Sequence, residues 1–337
     1  MIDKKRTRVL FVHPTMSTFI ESDLNLLRKN FDVKVVDVGS VKKNLSGKVS
    51  VLWRLASGAL WCDISFAWFA ERHAKWMVIF TRMLGKPSLV VVGGYEVAKV
   101  SEIGHGSLLD PSKAKMVKYI LEKATKVLPV DGSLKEAAIK NLGVRGDNIQ
   151  TVHTGHDSDK FKASGVKENM VLTVGFVNKI TIKRKGLDVF VQAAGFLRDA
   201  KFVLVGSSRD NSIGELKSIA SPNVEFVESV PHDQLVGYYQ RAKVYCQLSL
   251  YEGLPSALCE AMLCECVPVG TKVSGIPTAM GDTGFYVPVR DPKGAADAIR
   301  AALQSDKGKA ARARIMSEFP VEKREAAIVE IFEKLLA

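Results

Sequence analysis

The amino-acid sequence predicts an α/β protein with two doubly wound parallel sheets that face each other across a cleft. Short apolar, β-branched runs recur along the 337 residues, and segments with apolar residues at helical spacing separate them. This alternation is typical of parallel sheets covered by helices on both faces. About six such runs lie on each side of the midpoint, and the length is about right for two domains.

The predicted strands follow one another in chain order. Those of the first half are RVLFV, VKVVDV, DISFAWF, SLVVVGG, KVLPV and IQTVH. Those of the second half are VLTVG, KFVLVG, VEFVES, KVYCQLS, CVPVG and GFYVPV. Apolar residues at helical spacing predict helices between them, as in FIESDLNLLRKN, KGLDVFVQAAGFL and HDQLVGYYQRA.

The polar stretch from Asp157 to Met170 separates the two halves. We therefore expect an N-terminal domain at residues 1–165 and a C-terminal domain at residues 166–320. The last segment, 321–337, carries an apolar stripe of helical spacing, and Pro320 suits the start of a helix. This helix is predicted to pack back onto the N-terminal domain, with packing on the C-terminal domain as the alternative.

The net charge of +12 favours anionic partners. Nucleotides, acidic glycans, anionic lipid surfaces and nucleic acid all satisfy that condition. The aromatic content of 8% is ordinary, and no segment resembles a nucleic-acid module with aromatic stacking positions, so no specific nucleic-acid partner is expected.

The five cysteines lie mostly within apolar or helical patterns, which is typical of core residues in a reducing cytosol. Cys264 and Cys266 lack the second pair or histidine cluster of a zinc site, so no metal is expected. No segment has the roughly 18–20 apolar residues of a membrane span, and MIDKKRTRVLFVHP does not resemble a signal peptide. We expect a cytoplasmic protein, with peripheral association at the inner membrane face left open.

The segment YEGLPSALCE, Tyr251 to Glu260, joins a predicted strand to a predicted helix. Gly253 lets the backbone turn, and Pro255 fixes the corner so that the helix begins near Ser256. The amides of Leu254, Ser256 and Ala257 are then exposed at a helix N-terminus, which suits a phosphate. A carboxylate can accept two hydroxyl protons, so Glu260 could bind a ribose diol and Glu252 a sugar hydroxyl.

The segment KITIKRKGLDVF, Lys179 to Phe190, places four basic residues ahead of Gly186. A cationic loop that leads into a helix N-terminus attracts a diphosphate. The alternative is a solvated basic loop.

A family resemblance rests on these motifs. Glu252 and Glu260 form an E-x7-E pair within SLYEGLPSALCEAMLCECVPVGTKVSGIPTAMGDTGFYVPVRDP, which resembles the signature of retaining glycosyltransferases of family four, whose fold is GT-B. Similar segments extend over most of the chain. They are VGFVNKITIKRKGLDVFVQAAGFL for phosphate, VEFVESVPHDQLVGYYQRAKVYCQLS for the base, and TVHTGHDSDKF at the hinge.

The resemblance implies transfer of a sugar from a nucleotide diphosphate sugar to a hydroxyl acceptor, with retention of configuration and without a metal or other cofactor. It assigns Lys185 to the leaving diphosphate, with Glu252 beside the sugar. Phe176 stands where the family usually has an arginine after the first glycine, and Arg184 is expected to supply that charge. The expected donor-binding residues are Gly175, Val230, Leu254, Ser256, Ala257 and Glu260.

The N-terminal half offers fewer signals. His13, Ser17 and Thr18 line a predicted loop after the first strand and could face the acceptor, although His13 could equally be a packing residue. Gly94 ends a strand in a segment that resembles a G-G-Y-D-V-A motif, with Glu96 in place of aspartate. His105 is the last acceptor-side candidate, and an exposed loop histidine is its alternative.

Two other functions remain open from the sequence. A nucleotide-sugar epimerase or a phosphorylase of the same fold would share the cleft. A non-enzymatic protein that binds anions or nucleic acid would need only the basic surface.

Overall fold

The computed structural model describes residues 6–41, 44–208, 210–228 and 230–337. The chain forms two compact units. The first comprises the described residues up to Ser101, together with His105–Gly155 and Glu322–Ala337. The second comprises Glu102–Gly104 and His156–Val321, so it begins closer to the N-terminus than the predicted boundary at residue 166.

The first unit contains a five-stranded parallel sheet of order β2-β1-β3-β4-β5. Its strands are β1 (Arg8–His13), β2 (Asp32–Asp37), β3 (Ile64–Trp68), β4 (Ser88–Val92) and β5 (Lys126–Pro129). Its first five helices are α1 (Thr18–Asn30), α2 (Leu45–Trp61), α3 (Arg72–Met83), α4 (Pro111–Lys123) and α5 (Gly132–Leu142). Every residue of β3 and β4 is buried, as expected of a parallel sheet with both faces covered.

The second unit contains a six-stranded parallel sheet of order β11-β10-β9-β6-β7-β8. Its strands are β6 (Glu168–Val174), β7 (Lys201–Val205), β8 (Val224–Val227), β9 (Ala242–Gln247), β10 (Val267–Thr271) and β11 (Phe285–Val287). Its helices are α6 (Lys179–Lys185), α7 (Leu187–Ala194), α8 (Ser212–Ser218), α9 (His232–Arg241), α10 (Ser256–Leu263), α11 (Ile276–Met280), α12 (Pro292–Leu303) and α13 (Gly308–Glu318). The two doubly wound parallel sheets that the sequence predicts are thus confirmed.

The C-terminal helix α14 (Val321–Leu336) packs within the first unit. The ring of Phe332 lies 5.0 Å from the ring of Phe31 and 6.3 Å from that of Phe66 on β3. The carboxylate of Glu325 accepts hydrogen bonds from Lys29 and Asn30 at the end of α1. These contacts join the end of the chain to its first strands and helix.

One predicted strand is wrong. IQTVH forms only an isolated bridge, between Ile149 and Val127 of β5. The segment does run beside β5, because Gln150 N donates to Val127 O and Val152 N donates to Pro129 O. Pro129 has no N–H to donate in return, so the ladder cannot continue.

The basic segment before Gly186 is also not the loop that the sequence predicts. Residues Lys179–Lys185 form the short helix α6, whose first turn is capped by the Asn178 side chain accepting from Thr181 N. Gly186 ends α6 in the left-handed conformation, at φ 64°, and a Cβ there would lie 2.2 Å from Leu248 O. The position therefore requires glycine.

Among the described residues, no helix is long and apolar enough to cross a membrane.

Candidate active site

The candidate site of the second unit lies where the order of its strands reverses. The chain proceeds outward from β6 to β7 and β8, and then returns to the other side of β6 for β9, β10 and β11. Ligands of open α/β sheets bind at such switch points, at the carboxyl ends of the strands. Here those ends belong to β6 and β9, and they lead into Gly175 and Ser249 respectively.

Glu252 is the centre of a charged cluster at this point. Its Oε1 atom lies 3.0 Å from Nη1 of Arg184 and 3.7 Å from Nζ of Lys185. The same oxygen accepts hydrogen bonds from Gln247 Nε2 at 3.0 Å and Ser249 Oγ at 2.9 Å. The structure therefore brings together all three predicted catalytic residues, Lys185, Arg184 and Glu252.

Local backbone geometry explains why the two cations reach this carboxylate. A Cβ on Gly175 would lie 2.6 Å from Cδ of Lys185, so the lysine stem needs the space that a glycine leaves at the end of β6. Lys185 Nζ also donates to Val174 O at 3.4 Å. Arg184 Nη1 donates to Tyr251 O, and Arg184 O accepts from Leu250 N. The end of α6 is thus fixed to the β9–α10 corner.

Burial and charge set the protonation of the cluster. Burial alone would raise the pKa of Glu252, but the charges of Arg184 and Lys185 outweigh it and lower this pKa. Burial lowers the pKa of Lys185, and the charge of Glu252 only partly opposes that shift. Glu252 is therefore ionised at neutral pH. An incoming anion would meet two cations held side by side, which is the arrangement that stabilises developing phosphate charge.

Glu260, in α10, belongs to a second network. Its Oε2 atom accepts a hydrogen bond from the Tyr239 hydroxyl at 3.1 Å, and its Oε1 lies 3.2 Å from Nε2 of His232. Burial, followed by the charge of Glu260, raises the pKa of Tyr239, so its hydroxyl keeps the proton that it donates. Glu260 is buried, and both its oxygens already have protein partners.

The tautomer of His232 follows from its other neighbour. Nζ of Lys160 lies 3.2 Å from Nδ1 of His232. An ammonium group can only donate, so Nδ1 accepts and the proton of a neutral ring is on Nε2, facing Glu260. The Phe161 ring lies edge-on to the imidazole at 5.4 Å and limits its rotation.

The N-terminus of α10 lies between the two glutamates. The helix begins at Ser256, as predicted, and no side chain caps it. Pro255 O accepts from Leu258 and Cys259, which leaves the amides of Ser256 and Ala257 at the open end of the helix. Leu254 is buried in the corner, and Val230 lies half-buried just ahead of α9.

In the first unit, the acceptor-side candidates near β1 occupy different positions. His13 is the buried last residue of β1, and Ser17 is the N-cap residue of α1. Thr18 is exposed and begins α1, so it does not lie in the predicted loop. Among the described residues, His13 Nδ1 and Ser17 Oγ are buried without a hydrogen-bond partner. Such atoms usually bind water or a ligand.

Gly94 and His105 occupy the region after β4. Gly94, at φ 133°, donates its N–H to Oε2 of Glu96, and Oε1 of Glu96 accepts from the amides of Gly93 and Ala70. Burial raises the pKa of this carboxyl, although the amides oppose the shift. Glu96 therefore anchors the glycine turn. His105 pairs with Val100 in an isolated bridge, and Tyr95 lies edge-on to its ring.

Several residues of the second-unit site are not among the predicted ones, namely His232, Tyr239, Gln247 and Ser249. His232 and Tyr239 are seven residues apart and so lie on one face of α9. That spacing could have indicated them. Gln247 and Ser249 alternate at the end of β9 beside Glu252, and only the fold brings them to its carboxylate.

Residues 169–305 match the family of group 1 glycosyl transferases. The chain is 26% identical over 282 residues to N-acetyl-alpha-D-glucosaminyl L-malate synthase of Bacillus anthracis, which covers 77% of this chain and 72% of that protein. It is 23% identical over 198 residues to a phosphatidylinositol N-acetylglucosaminyltransferase of Arabidopsis thaliana. This second match covers 56% of the chain and only 44% of the Arabidopsis protein.

Solved structures resemble the whole chain. HepE of Anabaena in complex with UDP has a TM-score of 0.78 at 15% identity, over 97% of this chain and 100% of that one. Sucrose-phosphate synthase of Thermosynechococcus elongatus has a TM-score of 0.77 at 17% identity, over 98% and 99%. At these identities the likeness establishes the fold.

Proposed function

Because the chain belongs to the group 1 glycosyltransferases, family four, and has the GT-B fold, we propose that it moves a sugar from a nucleotide diphosphate sugar to a hydroxyl acceptor. The observation that carries the proposal is the pair of cations, Arg184 and Lys185, held on Glu252 at the switch point of the second sheet. We assign the transfer to the retaining, metal-independent class.

In the proposed reaction the bond between the anomeric carbon and the diphosphate oxygen breaks, and the acceptor oxygen bonds to that carbon. The acceptor proton passes to the departing diphosphate. Negative charge grows on the leaving group, and Lys185, Arg184 and the open amides of α10 are the groups that stabilise it. Glu252 orients both cations before the donor binds and then accepts from a sugar hydroxyl.

Glu260 is proposed to bind the ribose. Its Oε1 atom has a second lone pair, and His232 can rotate away, so a diol can bind where the imidazole now donates. Gly175, Val230, Leu254, Ser256 and Ala257 complete the proposed donor site. UDP is the nucleotide to test first, because the HepE structures contain UDP.

The acceptor side is assigned to the first unit. His13 and Ser17 carry buried polar atoms that lack partners among the described residues, and they are the first candidates to bind the acceptor hydroxyl. Thr18, Gly94 and His105 remain proposals of lower rank. The net charge of +12 suits an acidic or lipid-linked acceptor, and the buried free thiols suit the reducing cytoplasm.

A donor screen tests this function. Calorimetric titration with UDP, GDP and ADP should give tightest binding for UDP. Incubation with the corresponding sugar nucleotides and an acceptor extract should give a product whose anomeric configuration, read from its proton coupling, matches that of the donor. Epimerisation of the donor without transfer would contradict the proposal.

A further inference from the structure

Helix α2 presents an apolar stripe to solvent. Leu45, Val49, Trp53 and Leu60 recur at i, i+4, i+8 and i+15, which is one side of a helix. Their exposed fractions are 77%, 58%, 73% and 67%. The buried side of α2 is formed instead by Leu55, Gly58 and Ala59, so the stripe is additional to the face that packs on the sheet. An exposed apolar patch of this kind marks an interaction surface.

Helix α3 continues the apolar surface beside α2. Trp76 and Met83 are exposed on it, and the Trp76 ring stacks on Phe80 with centroids 5.8 Å apart. A groove of about 1260 Å³ adjoins both helices. Its apolar lining includes Leu52 of α2, Trp76 and Ile79 of α3, and Met116 of α4. We call the exposed faces of α2 and α3 with this groove the α2–α3 surface.

The charge of the α2–α3 surface is mainly of one sign. Neither helix contains an acidic residue, and together they carry Lys48, Arg54, Arg72, Lys75 and Arg82. Lys113 and Lys115 of α4 also line the groove. The acidic Glu71 lies there too, directly ahead of α3. A helical surface with tryptophan and leucine on one face and lysine and arginine around it is typical of proteins that lie on a membrane.

Two kinds of occupant could cover such a surface. In a symmetric dimer the same patch of each copy would face the other, so the lysines and arginines of one copy would oppose those of its partner. An anionic bilayer instead offers negative headgroups to the basic residues and acyl chains to the stripe. Tryptophan also prefers the headgroup boundary. The charge therefore favours a bilayer over a second copy of the chain.

We propose that the α2–α3 surface docks the protein on an anionic membrane, with Trp53 and Leu60 entering the headgroup boundary and the basic residues binding the lipid phosphates. This inference deepens the proposed function, since it places the acceptor at a bilayer surface and therefore rests on that function for its biological meaning. The docking itself needs neither donor nor acceptor.

Cosedimentation with vesicles tests the proposal. The full chain should bind vesicles of phosphatidylglycerol and phosphatidylcholine in equal parts, and should bind pure phosphatidylcholine weakly. Trp53→Ser with Leu60→Ser should lower the partition coefficient at least about tenfold, because two apolar anchors are lost. Lys48→Gln with Arg82→Gln should lower it about fivefold for each charge removed. Raising the salt concentration should weaken binding of the parent in the same direction.

Matched controls come from surfaces elsewhere on the protein. Phe196→Ser removes an exposed aromatic ring of the second unit, and Lys140→Gln with Lys309→Gln removes two exposed charges. These variants should bind vesicles like the parent. Equal loss in the controls, or no loss in the Trp53 and Leu60 variant, would overturn the proposal. So would a parent dimer in vesicle-free buffer that the Trp53 and Leu60 substitutions dissociate, since the surface would then belong to a second copy.

The two proposals can fail separately. UDP titration of the Trp53 and Leu60 variant and of the Lys48 and Arg82 variant should give the parent dissociation constant, because none of the altered residues lies in the second unit. Vesicle binding without nucleotide binding would overturn the donor site alone. Nucleotide binding without vesicle binding would overturn the docking surface alone.

Discussion

Nε2 of His232 lies 3.2 Å from Oε1 of Glu260, so the carboxylate that we assign to the ribose has a protein partner before any nucleotide binds. With Tyr239 on the other oxygen, this partner fixes the rotamer of Glu260 in advance. Such an arrangement lowers the ordering cost of binding. It also makes Glu260 the residue whose loss should affect nucleotide affinity most directly.

Glu260→Ala should weaken binding of UDP by roughly 1–3 kcal/mol, because the ribose diol loses its acceptor. Calorimetric titration measures the change. Glu225→Ala is the control, since Glu225 lies on β8, away from the switch point, and its half-exposed carboxylate pairs with Lys201. A dissociation constant that stays at the parent value in Glu260→Ala removes this residue from the donor site.

Lys185→Ala should lower kcat far more than it lowers the free energy of unfolding, because the charge of Lys185 is needed most when the diphosphate departs. Lys183→Ala is a closely matched control. Lys183 lies in the same helix but pairs with Asp188, at 2.6 Å, rather than with Glu252. If kcat of Lys185→Ala at saturating donor stays within about threefold of the parent, the loss is under roughly 1 kcal/mol and the assignment is wrong.

Activity should also fall at high pH because of Lys185. Burial lowers the pKa of this lysine, so the charged form is lost as the pH rises, at a lower pH than the ordinary value of about 10.4. Glu252 has a lowered pKa and stays ionised throughout that range. Lys185→Arg keeps a charge that does not titrate and should move the alkaline limb of kcat upward. An alkaline limb at the same pH in both proteins would assign it to another group.

The fold could be predicted from sequence because its signal is local. Buried parallel strands such as β3 and β4 are continuous apolar runs, and these alternate with amphipathic helices. The segment Ile149–His153 has the same composition, but its pairing depends on a proline in the neighbouring strand. Strand pairing of that kind is a property of two segments together, so one segment cannot reveal it.

The candidate site could be predicted in part for a similar reason. Glu252, Glu260 and Lys185 stand in motifs with recognisable neighbours. Their partners do not. His232 precedes Glu260 by 28 residues in the chain, and only the packing of α9 beside α10 brings the imidazole to the carboxylate. The helix α6 escapes prediction because Asn178 and Gly186, which define its ends, are also common in loops.

Arg324 of α14 forms a buried, bidentate ion pair with Asp23 of α1, through Nε at 2.5 Å and Nη2 at 2.7 Å. Its Nη1 donates to the carbonyl oxygens of Val152 and His153, and Asp23 also accepts from Trp68 Nε1. Removing one partner leaves the other charge buried without compensation. Arg324→Ala should therefore destabilise the first unit by about 3–5 kcal/mol.

Tryptophan fluorescence during urea unfolding of the full chain measures this effect selectively. All four tryptophans, Trp53, Trp61, Trp68 and Trp76, lie in the first unit, so the signal does not report the second. Lys334→Ala removes an exposed partner of Glu330 from the same helix and should change the free energy of unfolding by less than about 1 kcal/mol. An Arg324→Ala midpoint equal to that control would show that α14 contributes little to the first unit through this ion pair.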